Sequence, residues 1–270
     1  MSKVGKGQRA SRAFIFCTMY IPEAEKDQAL LRINNWIKFY QDKKDLLGFQ
    51  NIFLIDDGSL IDDIKDIDAK INIIDADTKL PETLPEGVTV FHFKKHLGRA
   101  QHCIFPGWWR SFTYSAKIAK KYNFDKLILC ESDAYIIRPR LFSYIKAQAG
   151  GWVAFWCPKH KFPESALQVI SKDYMARLES LYEEGEKLWM REVFAEKFLP
   201  FTKIEKRFIG DRYGEFLKKY PFDADYICQA WLSTSVMERG AFPAIFITLS
   251  RKWKRIKKWG HKKNKIKKSA

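Results

Sequence analysis

Several features are scarce or missing in this chain of 270 residues, and each absence narrows what the protein can be. No window of about 18 consecutive apolar residues occurs, so no membrane-spanning helix is predicted. The first residues are polar and the apolar run after them is short and contains Thr18, so no secretory leader is expected. The five cysteines are never spaced as Cys-x-x-Cys, which argues against a disulfide framework and a structural zinc site. We therefore expect a reduced, cytosolic protein.

Acidic residues are absent from both ends of the chain, and its positive charge is concentrated there. Of a formal net charge of +16, residues 251–270 carry eleven Lys and Arg and residues 1–12 carry four, which leaves the body at +1. Trp253 and Trp259 are interleaved with the cations of the last segment, a pattern that suits an anionic membrane surface. Nucleic-acid binding, which the near-neutral body does not favour, and a solvated basic tail are the alternatives.

The remaining composition is that of a globular chain long enough to bury a substantial core, with 46% hydrophobic and 15% aromatic residues. Apolar runs alternate with helical patterns through residues 13–160, which predicts strands joined by helices in a mostly parallel sheet. Residues 165–198 place apolar side chains at helix-like intervals, so one or two helices are expected there. The predicted organisation is a basic leader at 1–12, an α/β half at 13–160, a helical part of the same domain at 161–250 and a basic tail at 251–270.

Polar residues follow the predicted strands at their carboxyl ends. The predicted strands are 13–20, 51–55, 71–74, 88–93, 127–130 and 151–156, and the predicted helices are 23–47 and 107–122. Ligands of open α/β sheets bind outside the carboxyl ends of the strands. The polar clusters at these ends are Thr18 with Tyr20, Asp56 with Asp57, Arg99, and Glu131 with Asp133. Because all four clusters fall at the carboxyl ends of predicted strands, we expect a ligand site at that edge of the sheet.

The strongest single signal is the acidic pattern that follows the strand at 127–130. This apolar strand leads directly into Glu131, Ser132 and Asp133. A strand buried on both faces has no use for two acids at its end unless a cation or a helix N-terminus neutralises them. Mg²⁺ and Mn²⁺ favour one or two carboxylates together with phosphate oxygens, so a shared metal site is one interpretation. The other is a carboxylate paired with Lys126 or Arg138.

These pieces, in this order, resemble the GT-A fold nucleotide-sugar glycosyltransferases, most closely the inverting family 2 type. The likeness covers residues 13 to about 231 and is carried by short motifs. They are Thr18-Met19-Tyr20, Asp56-Asp57-Gly58-Ser59, Glu131-Ser132-Asp133 and Asp223-Ala224-Asp225. Glu131 stands where the family has Asp, His96-Leu97-Gly98-Arg99 replaces an Asn-x-Gly stretch, and Gln229-Ala230-Trp231 is shorter than the family's Gln-x-x-Arg-Trp.

The resemblance implies a GT-A-like, Rossmann-like three-layer α/β/α fold with a mostly parallel central sheet and a helical C-terminal part. It implies a metal-dependent transferase that moves a sugar from a nucleotide-sugar donor, expected to be UDP-linked, to a glycan or lipid-linked acceptor with inversion. Surface polysaccharide or lipopolysaccharide assembly is the implied setting. The implied cofactor is Mn²⁺ or Mg²⁺. The protein would be cytoplasmic and bound peripherally to the inner face of the membrane through residues 251–270.

Roles carried over from the family fall on two groups of residues. The nucleotide-sugar-binding group consists of Thr18, Tyr20, Asp56, Asp57, Arg99, Glu131, Ser132 and Asp133, of which Asp133 and Glu131 are the implied metal ligands. Arg99 pairs with ligand oxygens in this interpretation, or else only neutralises Asp56 and Asp57. Ser59 is interpreted as a helix N-cap.

An inverting transfer also needs a base that takes the proton of the acceptor hydroxyl. Asp225 is the first choice for this base, followed by Asp223 and Asp211. Caps of the following helix are the structural alternative for Asp223 and Asp225. A retaining glycosyltransferase or a nucleotidyltransferase is the alternative enzyme. A nucleic-acid-binding or membrane-scaffold protein that acts through its tail is the alternative outside enzymes.

Overall fold

The computed structural model describes residues 11–158, 160–212 and 224–229, and it confirms an α/β fold on a mostly parallel central sheet. The strands are β1 (Ala13–Met19), β2 (Asn51–Asp56), β3 (Ile71–Asp75), β4 (Val88–His92), β5 (Lys126–Cys130), β6 (Tyr135–Ile136), β7 (Trp152–Cys157), β8 (Phe162–Ser171), β9 (Lys203–Glu205), β10 (Gly210–Arg212) and β11 (Tyr226–Cys228). Eight of them form the central sheet in the order β3-β4-β2-β1-β5-β8-β7-β9. Only β8 runs antiparallel to its neighbours, β5 and β7, within this described sheet.

Helices cover both faces of the sheet. They are α1 (Lys26–Gln41), α2 (Lys44–Leu47), α3 (Ile61–Lys65), α4 (Pro106–Tyr122), α5 (Pro139–Ala147), α6 (Met175–Glu183), α7 (Glu186–Trp189) and α8 (Ala195–Phe198), with short 3₁₀ turns at Glu23–Glu25 and Lys172–Tyr174. The helix predicted over 23–47 is interrupted between α1 and α2, and Gly48 ends it with a left-handed φ of 72°. Among the described residues, no helix combines the length and the apolar character that crossing a membrane requires.

Two hydrophobic cores, one on each face of the sheet, explain the three layers. Successive side chains of a strand point to opposite faces. Phe14 and Phe16 of β1 therefore join the core under α4 and α6, whereas Ile15 and Cys17 join the core under α1 and α5. Because both faces are buried, the central strands are continuous apolar runs without polar alternation.

Two predictions about the second half of the chain are wrong. Residues 165–171 were expected to be helical, but they belong to β8, and the first α-helix after it, α6, begins at Met175. The residues after Asp225 were expected to open a helix, but Tyr226–Cys228 forms β11. Both faces of β8 are covered, so its apolar residues Leu167 and Ile170 fall at an interval that fits a helix as well as a buried strand.

A small second sheet adjoins the end of β5. It has the order β10-β11-β6, with β10 and β11 parallel and β6 antiparallel to β11. β6 follows β5 after a tight turn in which the N–H of Ala134 donates to the carbonyl of Glu131 at 2.8 Å. The second sheet therefore brings the ends of β10 and β11 beside the edge where β1, β2, β4 and β5 end.

Candidate functional site

Two adjoining cavities open at the carboxyl ends of the parallel strands. The first, of about 360 Å³, is lined by Tyr20, Asp57, His96 and Arg99 among others. The second, of about 400 Å³, is lined by the predicted acidic motif, Glu131, Ser132 and Asp133, and by residues of β8, α8, β10 and the end of β11. Thr18, Arg32, Phe105 and Trp108 line both cavities, so the two form one cleft.

Glu131 lies at the floor of the second cavity, and its carboxylate is held by two neighbours. One oxygen accepts hydrogen bonds from the hydroxyl of Thr18 at 2.7 Å and its N–H at 3.2 Å, and the other accepts from the indole N–H of Trp108 at 2.7 Å. Burial raises the pKa of Glu131 to about 7, although these hydrogen bonds favour the ionised form. Glu131 can therefore change charge near neutral pH.

Asp133 lines the second cavity two residues further on. Burial raises its pKa, while the charges of Arg32 and Arg212 and a backbone hydrogen bond from Gln229 favour the ionised carboxylate. Lys126, proposed above as a partner for these acids, instead donates to the carbonyls of Ile145, Lys146 and Gln148 at 2.8 to 3.2 Å at the end of α5. The interpretation that Lys126 pairs with Glu131 is therefore wrong.

The acidic motif meets the simplest requirement of a magnesium or manganese site, because it offers two oxygen donors at one cavity wall. In the described part of the chain, no group of three or more His, Cys, Asp or Glu side chains is placed to hold a metal ion. A cation here would need further oxygens from a ligand. Both oxygens of Glu131 already accept hydrogen bonds, so Asp133 is the better placed of the two to bind a cation directly.

Asp56, at the end of β2, is fully buried and all its hydrogen bonds are internal. One oxygen accepts from the N–H groups of Gly58 and Ser59 and lies 2.8 Å from the ring nitrogen of His92. The other accepts from the hydroxyl of Ser59 at 2.5 Å. Its predicted contact with a nucleotide stays a prediction. The hydroxyl oxygen of Ser59 accepts a hydrogen bond from the N–H of Ile21. The interpretation of Ser59 as a helix N-cap is wrong, since Leu60 holds that position in α3.

Asp57 fastens the wall of the first cavity. Its carboxylate accepts from the guanidinium of Arg110 at 2.5 Å and from the N–H of Gly98 at 2.7 Å. A Cβ on Gly107 would overlap the Asp57 carboxylate, so only glycine lets the start of α4 approach this closely. Asp57 thus joins the end of β2, the loop before α4 and α4 itself.

Tyr20 and His96 form a stacked pair in the first cavity, with ring centroids 3.7 Å apart and an interplanar angle of 19°. Arg99 is exposed, its guanidinium lies 4.8 Å from the ring of Phe105, and its Nε donates to the carbonyl of Gln101. His92 lies 2.8 Å from Asp56, and His96 and Arg110 lie 3.0 and 2.5 Å from Asp57, so these side chains rather than Arg99 contact the two acids. The first cavity therefore presents flat rings and a cation, which suits a base and phosphate oxygens.

The three candidate bases are placed differently from one another. Asp225 is fully buried, and Arg140 donates to its two oxygens at 2.5 and 2.6 Å while the N–H of Ile209 donates at 2.7 Å. Asp211 is buried in β10, and neither Asp211 nor Asp225 lines the two cavities. Asp223 lies outside the described residues. The role of each as a base stays a prediction.

Sequence reasoning missed three charged residues of the cleft. Arg32 of α1 lines both cavities, and Arg212 of β10 and Glu196 of α8 line the second. Arg32 had a recognisable signal, because it lies three residues after the buried Ala29 and four before the buried Trp36, on the apolar face of α1. Arg212 and Glu196 carry no such signal, since their neighbours in space are far away in sequence.

Comparisons with known proteins give structural similarity alone. No family model matches the chain, and no curated protein matches it. A glycosyltransferase involved in glycosylation of the major capsid of PBCV-1 is similar at 10% identity and a TM-score of 0.45, over 84% of this chain and 97% of that one. A cytidylyltransferase from Leptospira borgpetersenii serovar Hardjo-bovis is similar at 14% identity and a TM-score of 0.37, over 73% and 79%. At this level neither similarity supports an argument about what this chain binds.

Proposed function

We propose that the protein is a metal-dependent glycosyltransferase that uses a nucleotide-sugar donor. The observation that carries the proposal is the cleft at the carboxyl ends of β1, β2, β4 and β5. Its first cavity offers stacked rings and Arg99, its second offers Glu131 and Asp133, and Arg32 lies at their junction. A base, a diphosphate and a cation would follow one another along this cleft.

The donor's diphosphate would lie where the two cavities meet. A divalent cation bound by Asp133 would stabilise the negative charge that builds on the departing diphosphate. Arg32 contributes positive charge at the same junction, and a guanidinium suits phosphate oxygens because of its fork of donors. Thr18 and Trp108 orient Glu131, which can accept a hydrogen bond from the ribose or from a water on the cation.

The finer assignments rest on the sequence resemblance. The resemblance to the inverting glycosyltransferases, which Asp56-Asp57-Gly58-Ser59 carries in part, favours a UDP-sugar donor and inversion at the anomeric carbon. The acceptor would be a glycan or a lipid-linked sugar in surface polysaccharide or lipopolysaccharide assembly. The basic segment 251–270 would hold the protein at the membrane where such an acceptor is found.

The first test is the melting temperature of the purified chain with Mn²⁺ and each of UDP, GDP, CDP and ADP. A ligand that binds only the native state stabilises it by about 2.7 kcal/mol at a hundredfold excess over its Kd. We expect a metal-dependent shift for UDP that is lost in Asp133→Asn. Asp68→Asn, which changes an exposed acid, is the matched control and should keep the shift.

The outcomes separate the possible functions. A metal-dependent shift with GDP, CDP or ADP rather than UDP would support the donor site and name a different base. No shift with any nucleotide would leave Glu131 and Asp133 as structural charges and would contradict the proposal. A shift of equal size in Asp133→Asn would place the metal elsewhere.

A further inference from the structure

Glu196 is a carboxylate of the second cavity that the proposed donor site does not use. It lies on the short helix α8, and 12% of its side chain is exposed. One of its oxygens accepts the hydroxyl of Ser165 at 2.8 Å. Ser165 belongs to β8, and the next residue, Ala166, accepts the N–H of Glu131 at 2.9 Å. Glu196 therefore lies beside the acidic motif but is held by other partners.

Arg212 places a positive charge close to Glu196. Its guanidinium lies 3.9 Å from Glu196 and 3.8 Å from Glu164, so it lies between two carboxylates. Glu164 is 1% exposed and one of its oxygens accepts the N–H of Ala166 at 3.2 Å. The Ser165 hydroxyl therefore orients Glu196, the Arg212 charge lies beside it, and Glu164 does not line the cavity.

The other described acids near the second cavity are less suited to take a proton from an acceptor. Glu131 and Asp133 are assigned to the donor and its cation. Asp211 and Asp225 do not line the cavity. Among the described residues, Glu196 is the carboxylate that lines this cavity without a role on the donor side.

Phe194, two residues before Glu196, lines the same cavity with 45% of its surface exposed. Packing in the hydrophobic core would bury an aromatic ring, so the exposure of Phe194 shows that it is not a core residue. Flat apolar rings can pack against the apolar face of a sugar ring. The segment from Phe194 to Glu196 thus presents an exposed ring and a carboxylate to the same cavity.

We propose that this segment is the acceptor wall of the site, with Glu196 as the catalytic base and Phe194 as the platform for an acceptor sugar. The inference rests on the proposed function. Glu196 takes the proton of the attacking hydroxyl as the oxygen forms its bond to the anomeric carbon. The bond from that carbon to the diphosphate breaks, and its electron pair leaves with the diphosphate. Ser165 and Arg212 are positioning residues.

The test of the base is Glu196→Gln, which keeps an oxygen for the Ser165 hydroxyl and removes the charge. UDP release is measured from UDP-glucose and UDP-galactose, in water and with octyl glucoside and octyl galactoside as acceptor probes. We expect kcat to fall by about 10²- to 10⁴-fold, the usual contribution of a general base. The metal-dependent UDP shift in melting temperature should remain. Glu192→Gln, which changes an exposed acid four residues before Glu196, is the matched control and should keep kcat.

The test of the platform is Phe194→Ala. We expect KM for the octyl glycoside to rise by about 3- to 10-fold, as for the loss of one ring contact, with UDP release into water unchanged. Met190→Ala, which removes another exposed apolar side chain nearby, should change neither quantity.

The two proposals fail in different ways. If the wild-type chain shows no metal-dependent nucleotide shift, the proposed function itself is wrong. If that shift is present and Glu196→Gln keeps the wild-type kcat, the assignment of Glu196 is wrong while the proposed function stands. A melting temperature lowered in Glu196→Gln with kcat preserved would make Glu196 a purely structural partner of Arg212.

Discussion

Asp225 is a fully buried carboxylate, and the guanidinium of Arg140 donates to both of its oxygens. Its backbone carbonyl also accepts the N–H of Ile137 at 2.7 Å. These contacts fasten β11 to the start of α5. A carboxylate used in this way contributes to the stability of the second sheet, whatever else it does.

We expect Asp225→Asn to lower the free energy of unfolding by about 1–3 kcal/mol, because the amide leaves donors of Arg140 and Ile209 without a full set of acceptors. Arg140→Met should also cost about 1–3 kcal/mol, since it removes donors from a buried carboxylate, although water can replace part of the contact at a side chain that is 54% exposed. Urea unfolding measures both. An Asp225→Asn chain with unchanged stability and a large loss of kcat would instead support the sequence prediction that Asp225 is the base.

The protonation of Glu131 should make both the stability of the protein and the binding of ligands at the site depend on pH. Burial raises its pKa to about 7, above its unfolded value, so its contribution to stability is present at low pH and is lost as the pH rises through about 7. A cation at Asp133 has the opposite preference, because the negative charge of an ionised Glu131 two residues away favours its binding. The metal-dependent binding of a nucleotide should therefore strengthen over the range in which the free protein becomes less stable.

We expect the affinity for UDP with Mn²⁺ to fall by about tenfold per pH unit below the pKa of Glu131, down to the value for the protonated state. Thr18→Val removes a hydroxyl that stabilises the ionised form, so it should move this transition to higher pH. Calorimetric titration from about pH 5.5 to about pH 8.5 measures both. An affinity independent of pH across neutrality would exclude a role for Glu131 in binding the metal.

At the scale of elements, the start of α4 shows how a helix and a strand end are brought together. Asp57 holds Gly98, and the carbonyl of Gly98 accepts the N–H of Gly107 at 3.0 Å. This loop forms the wall of the first cavity. The contact depends on the absence of a side chain at Gly107.

We expect Gly107→Ala to lower the free energy of unfolding by about 1–3 kcal/mol, because the new methyl group overlaps the Asp57 carboxylate. The nucleotide shift in melting temperature should shrink as the cavity wall moves. Gly150→Ala is the control, since its methyl group would meet only an ordinary contact at 3.5 Å with Asp173. Equal melting temperatures for the two variants would show that a methyl group at residue 107 does not overlap the Asp57 carboxylate.

At the scale of the whole molecule, most of the net positive charge and the proposed donor site belong to different parts of the chain. The eleven Lys and Arg of residues 251–270 lie outside the described residues, whereas the cleft lies within the near-neutral body. The proposed membrane binding and the proposed donor binding should therefore be separable.

We expect a chain that ends at residue 250 to lose binding to vesicles containing phosphatidylserine, because each cation near such a surface contributes about 1 kcal/mol. Its nucleotide shift should be unchanged. Vesicle sedimentation measures the first quantity, with phosphatidylcholine vesicles as the uncharged control. Unchanged sedimentation of the shortened chain would place membrane binding elsewhere, and loss of the nucleotide shift would show that the tail belongs to the folded body.

Strands β1 to β5 and β7, helices α1 and α4, and the polar groups at the strand ends could be predicted from the sequence, whereas β6, α3 and α5 were not predicted. Local periodicity carries that information, since a buried strand and an amphipathic helix each leave a pattern within a few residues. The parallel arrangement follows as well, because a strand, a helix and a second strand have one favoured handedness.

Only the tertiary structure decided which charges meet. In the folded chain, β8 lies antiparallel between β5 and β7. Asp225 pairs with Arg140, 85 residues away in sequence, and Glu196 and Arg212 line the same cavity. No spacing within a short stretch records such contacts, because they arise when distant elements pack. The sequence by itself therefore determined that acids lie at the strand ends, and the packing decided which of them the fold uses and which face the cleft.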